Sequence, residues 1–336
     1  MIKQIPNYPS IIARPYIRAS KKDAQWKDNQ RYTFESLVTV LASYAVSDLL
    51  NVYMTLREPV ESGEGDISEE DLEIIESLKN IENLKSIGLE QMSLGKWCAV
   101  LRETTKVLKD HQDKSFIPEL YKNFQPPSNK LWDDINSLVK QRNDDAHGVP
   151  ISDSELKKVL TSRQEILDRI LEQCAFLENY SISIFEKLVL KSNSQQISGK
   201  SFINDGQESI LVPADLEPPL GEILLVNHSK KFAFIKLRPL IVYAPVNGQE
   251  SRQLSLYSKQ LDKEGNQIHY LGVDGAVDVD VKLFDKKYNQ SLGQRWKHIH
   301  EIYSEEDVHI PNLNGSINVP SSIEAVSYTH LTLPTN

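Results

Sequence analysis

The chain has 336 residues, 40% hydrophobic and 25% charged, a balance that excludes a disordered or fibrous protein and leaves room for two domains of ordinary size. Cys98 and Cys174 are its only cysteines, which excludes a disulfide framework or a cysteine zinc cluster and points to a reducing, cytoplasmic setting. A net charge of −9 excludes general coating of nucleic acid but leaves room for a local site.

The longest uncharged, largely apolar run, Ser36 to Ser47, is shorter than the roughly 20 residues a bilayer requires. The opening Met1-Ile-Lys-Gln-Ile-Pro lacks the apolar core of a secretory signal, so no membrane partner is expected. Charge is unevenly spread. Residues 1–31 hold seven basic side chains against Asp23 and Asp28, a net of +5 that leaves −14 for the remainder. They read as a basic N-terminal arm, and the nine acidic residues from Glu58 to Glu76 as a solvated acidic stretch.

From Tyr32 to about Lys191 the spacing predicts helices. Phe34, Leu37, Val38, Leu41, Ala45, Leu49, Val52, Tyr53 and Leu56 recur along a strongly apolar first helix, which a loop with Pro59, Gly63 and Gly65 ends. Glu69 to Leu84 reads as a second helix. Ser93 caps a third with a Leu94, Trp97, Leu101 and Leu108 stripe. Pro118 marks a connection, and Pro126-Pro127-Ser128 introduces a fourth helix that stops at Gly148, before Pro150. Ser152 and Glu155 form a capping box for a fifth, whose apolar repeat continues toward Leu190. Unbroken, that helix would be about 55 Å long.

Residues 192–207, rich in Ser, Asn, Gln and Gly, read as a linker. The period then changes to 2, and Ile210–Val212, Glu222–Val226, Phe232–Ile235, Leu240–Tyr243 and Leu254–Tyr257 read as strands of a β-rich domain over residues 208–310. Glu264-Gly265-Asn266 is a hairpin turn leading into Gln267–Leu271, and Gln294 to Tyr303 a short helix. Val326-Ser-Tyr-Thr-His-Leu-Thr-Leu-Pro-Thr-Asn336 looks like one reading frame of a transposon-end sequencing adapter, which it fits codon by codon on back-translation. It is read as a non-native tail and His330 is left out of site reasoning; residues 311–325 are then the start of a truncated region. The expected fold class is α+β, a helical bundle over residues 32–191 followed by a small antiparallel β-rich domain.

The segment richest in chemistry is Leu131-Trp-Asp-Asp-Ile-Asn-Ser-Leu-Val-Lys-Gln-Arg-Asn-Asp-Asp-Ala-His147-Gly148. At 100° per residue Leu131, Ile135, Leu138 and Val139 share one arc, and Arg142 falls inside it. A guanidinium on an apolar face demands a partner, because an unpaired buried charge costs several kcal/mol. Asn143 lies at the arc's edge. Arg142 and His147 diverge by about 140° on an ideal helix, so they converge only because the helix ends at His147 and the Arg side chain is long.

In Arg142-Asn143-x-x-x-His147-Gly148, closing a late helix of an all-helical region, the sequence resembles the HEPN superfamily of nucleotide-binding helical domains. The resemblance covers residues 32–191. It implies metal-independent RNA cleavage by attack of a ribose 2′-hydroxyl on the adjacent phosphate, with His147 as acid/base, Arg142 as phosphate clamp and Asn143 as an orienting group. The chemistry suits those residue types: imidazole transfers protons near neutral pH, and the planar guanidinium fork matches phosphate oxygens. It further implies a homodimer through the motif helices, RNA rather than DNA as partner, no cofactor or metal, and the role of a toxin or antiviral defence effector. The alternative is a non-catalytic HEPN-like dimerisation or nucleotide-sensing module. Lys130, Lys140 and Arg142 face Asp133, Asp134, Asp144 and Asp145, a local net of −1 that works against phosphate. A purely structural role is also open: cations near a helix C-terminus gain about 0.3 to 1 kcal/mol from the dipole, and Arg142 can pair with Glu35 or Asp48.

Other candidates are set aside. Ser198-Gly199-Lys200-Ser201 mimics the end of a P-loop, but Ser194 stands where its first glycine belongs. His298 and His300 point about 200° apart on a helix, which argues against a metal site. Asp278 and Asp280 alternate with valines as on a solvated strand face, and Cys98 reads as core.

Overall fold

The structure, a computed structural model, describes residues 7–62, 69–79, 85, 91–124, 130–146, 152–191, 194–204, 206–261, 267–272, 274–280, 295, 298–299 and 302–303. The chain is α+β: seven α-helices with defined bounds among those residues, then two antiparallel sheets. The helices are α1 (Ser10–Ala19), α2 (Trp26–Ser62), α3 (Glu69–Lys79), α4 (Leu94–Asp110), α5 (Pro118–Asn123), α6 (Lys130–Ala146) and α7 (Asp153–Gln173). The strands are β1 (Tyr180–Lys191), β2 (Ser194–Phe202), β3 (Glu208–Pro213), β4 (Ile223–Asn227), β5 (Ala233–Lys236), β6 (Ile241–Pro245), β7 (Arg252–Gln260), β8 (Gln267–Gly272) and β9 (Gly275–Asp280).

The long helix is the first apolar one. Its 37 residues make α2 about 55 Å long at 1.5 Å per residue. From Leu37 to Leu50 every residue is buried, and α2 packs against α1, α3, α4 and α7 and touches β5 and β7. By length and composition its Trp26–Leu56 portion is apolar enough to cross a membrane, so the apolar stretch outruns Ser36–Ser47; 89% of that window is buried inside the fold, as in a core helix. Asp48 interrupts it, and its carboxylate accepts bonds from Ser115 Oγ (2.7 Å), Phe116 N (2.7 Å) and Ile117 N (2.8 Å), anchoring the entry to α5. Burial pushes the Asp48 carboxyl up, and those three donors partly offset the effect.

Several segments depart from the sequence expectation, among them Pro118–Asn123, a helix where a connection was expected. Within the expected basic arm of residues 1–31, the described residues 7–31 are instead folded: α1 buries Ile11, Ile12, Ala13, Tyr16 and Ala19 against α2 and leaves Arg14 and Arg18 on its outer side. The charges concealed an apolar face at helical spacing. Helix α2 also starts at Trp26, ahead of Tyr32. The predicted fifth helix ends at Gln173, and residues 180–191 are strand β1. Tyr180, Ile182 and Ile184 alternate with Ser181 and Ser183, a period of 2 in β-branched and polar residues that favours a strand over a helix. Residues 194–202, within the expected linker, are β2, which pairs antiparallel with β1. The strands from β3 to β7, the antiparallel β7–β8 pairing and the Ser152–Glu155 capping box form where expected, while the Glu264–Asn266 turn lies outside the described residues.

The first sheet has the order β3-β2-β1-β4-β5 and the second is the meander β6-β7-β8-β9. The helical and β regions share one cluster of buried side chains, reaching from Ile11 and Leu41 through Ile182 and Leu225 to Tyr257 and Val279. Arg295 is buried at their junction. It donates Nε to the Arg238 carbonyl and an Nη to the Lys236 carbonyl, each at 2.8 Å, and burial lowers its guanidinium to about 10. Buried Cys98 is core as expected, its thiol pushed up to about 11. Gly199 and Lys200 of the P-loop mimic lie in β2. His298 packs edge-on against Tyr53, while His300 and the tail lie outside the described residues.

Candidate functional site

Helix α6 is oriented by its apolar stripe. Leu131, Ile135 and Leu138 are buried and Val139 is partly so; Trp132 joins them, donating Nε1 to the Phe124 carbonyl at 2.8 Å. Continuing that stripe by one turn puts Arg142 at the edge of the core, facing α2. There its Nε donates to Glu35 Oε1 at 3.2 Å, and the side chain keeps 42% of its surface exposed. Its terminal nitrogens make no hydrogen bond among the described residues. Asn143 is exposed and outside the Arg142 cluster, so it is not seen orienting it. His147 and Gly148 lie outside the described residues, so the structure places two of the three predicted site residues and brings only Arg142 to a cavity.

That cavity, of about 420 Å³, is the feature the sequence did not reveal. Glu35, Ser36 and Thr39 of α2 and Arg142 of α6 form one wall. Trp97 and Tyr257 meet in its lining edge-to-face, ring centroids 6.4 Å apart. The opposite rim is the β8–β9 turn with Gly272, Gly275 and Ala276. Two anchors hold that turn. Gln253 accepts from Asp274 N and donates to the Gly275 carbonyl, both at 2.8 Å, while Arg14 and Arg18 of α1 approach Asp274 at 3.6 and 3.7 Å. A further bond from Met92 N to the Ser258 carbonyl, 2.9 Å, ties the start of α4 to β7. Residues as far apart in sequence as Ile11 and Ala276 thus close one hollow, and no local signal could have assembled it.

The local charge also differs from the tally along α6. Asp134 is gripped by Arg169 of α7 through two bonds, of 2.6 and 3.1 Å. Asp145 takes Arg163 at 2.8 Å and Lys27 at 3.2 Å. Burial would raise the Asp145 carboxyl, but Arg163 and Lys27 outweigh it and hold it below the usual carboxylate range. Two of the four carboxylates in the motif helix are therefore neutralised by cations that are distant in sequence.

Asp278 is exposed between buried Val277 and Val279, as the alternation implied, and lies 2.6 Å from His269 Nδ1. Among the described residues no group of three or more His, Cys, Asp or Glu side chains is placed to hold a metal ion. Comparison of the chain with models of known protein families, with characterised proteins and with solved structures finds no match.

Proposed function

We propose that the chain is a HEPN-type endoribonuclease, a cytoplasmic homodimer that cuts RNA without a metal ion and acts as a toxin or antiviral effector. The observation that carries this reading is the position of Arg142: at the end of the apolar stripe of α6, held through Nε by Glu35, and leaving its outer guanidinium edge available at the mouth of a cavity. That edge suits two phosphate oxygens, and a carboxylate behind it fixes its orientation. In the reaction His147 takes the proton of a ribose 2′-hydroxyl, the oxygen attacks the adjacent phosphorus, and the bond to the 5′-oxygen breaks. A second imidazole, from the other protomer's motif helix, returns a proton to that leaving oxygen. The products are a 2′,3′-cyclic phosphate and a 5′-hydroxyl. Arg142 stabilises the charge gathering on the phosphorane oxygens.

The test is labelled RNA incubated with purified protein in excess chelator, beside His147→Ala and Arg142→Ala. Cleavage by the wild-type chain, reduced about 100-fold or more in each variant, supports the reading. Intact RNA, or cleavage only on adding a metal, ends it. One observation favours the non-catalytic module: Glu35 already partners Arg142, as a purely structural guanidinium requires. On that reading Arg142→Ala weakens dimerisation and no RNA is cut in any arm.

A further inference from the structure

We infer that the cavity beside Arg142 is a guanine-reading pocket, which selects the base attached to the phosphate that Arg142 holds. The inference deepens the nuclease reading and rests on it only for the role of Arg142. Three observations carry it. The first is size: about 420 Å³, bordered by α2, α4, α6, β7 and residues 272 and 275–276, lies in the range of pockets that take small organic ligands. The second is the lining, in which the exposed side chains of Tyr32 and Leu271 and the partly buried Leu94 offer an apolar surface for a flat ring over a floor of buried Trp97 and Tyr257.

The third is the polar pair. Glu35 gives Oε1 to Arg142 Nε, and no other hydrogen bond to its carboxylate is present among the described residues. A carboxylate accepts about four hydrogen bonds over its two oxygens, so capacity remains on both. Among the four RNA bases only guanine presents two adjacent donors on one edge, N1–H beside the N2 amino group, matching the two oxygens of a carboxylate. Adenine and cytosine place a ring-nitrogen acceptor next to their amino group, and uracil flanks its single N–H with two carbonyls. Each would turn a lone pair toward Glu35 and leave a repulsive contact. A carboxylate thus rejects three bases and accepts one, and the neighbouring guanidinium receives the phosphate of that same nucleotide.

The test is equilibrium binding of the full chain to the four nucleoside 3′-monophosphates, with no turnover required. Guanosine 3′-monophosphate is expected to bind about tenfold or more tightly than the other three. Glu35→Gln, which replaces one acceptor by a donor, should bring the four to within about threefold. Ala276→Trp, which fills the cavity from its rim, should weaken the guanine nucleotide about tenfold while the melting temperature stays unchanged. Equal affinities for all four, or a guanine preference that survives both variants, overturn the inference. RNA cleavage reports separately. Cutting after guanosines supports the pocket and cutting equally after every base overturns it, whereas selective nucleotide binding with no cleavage keeps the pocket and removes the nuclease.

Discussion

Arg142 Nε and Glu35 Oε1 lie 3.2 Å apart although 107 residues separate them in the chain. The pair ties the end of α6 to the first turns of α2, and it is half exposed, so it contributes little to stability. Exposed ion pairs are worth about 0 to 1 kcal/mol. Arg142→Lys should therefore leave the urea midpoint nearly unchanged and, on the proposed nuclease reading, lower RNA cleavage by about 100-fold, since a point ammonium cannot grip phosphate and Glu35 as a fork does. A large loss of stability with cleavage intact would assign Arg142 to the scaffold.

Asp48 makes the opposite case. It is fully buried in α2, and three donors, Ser115 Oγ, Phe116 N and Ile117 N, converge on it. Asp48→Ala strands them in an apolar surrounding, at a cost of about 3 to 5 kcal/mol, read as a lowered urea midpoint. A variant as stable as the wild type would show that water or a shifted loop replaces the carboxylate.

The Asp145–Arg163–Lys27 cluster predicts a dependence on pH. Arg163 and Lys27 hold the Asp145 carboxyl below its unfolded value in spite of burial, so the folded state binds that proton less well than the unfolded chain does. The stabilisation is complete above the unfolded value, about 4, and is lost as pH falls through the lower folded value. Asp145→Asn should flatten this acid limb of the stability curve. An unchanged slope below pH of about 4 would remove the cluster as its source.

Gly199 is held to glycine by β1. At the bulge around Glu186 the strands approach so closely that a Cβ at position 199 would sit inside the contact shell of the Ile184 carbonyl oxygen. Gly199→Ala should cost about 1 to 3 kcal/mol by thermal or urea unfolding. A neutral substitution would mean that the β1–β2 pairing relaxes easily.

Much of the helical framework was legible because its signals are local. The stripe Leu131–Ile135–Leu138, the Ser93 cap and the Ser152–Glu155 box each act within a few turns, and each forms as expected. Local reading failed where charge or polarity masked a buried face. In α1 the arginines hid Ile11, Ile12 and Tyr16, and in β2 serines and glutamines hid a strand that is specified mainly by the free edge of β1. Residues 180–191 carried a period of 2 in plain view but were absorbed into the apolar repeat of the preceding helix.

The sequence by itself determined that Arg142 had to find a partner, because its position on an apolar stripe follows from helical geometry alone. Which carboxylate answers it, and that a hollow opens beside the pair, was decided by tertiary structure. Glu35, Trp97, Tyr257 and Gly275 reach one another only once α2, α4 and the second sheet have packed around the common core. Distances across that core depend on every side chain filling it, and no periodicity within a single element encodes them.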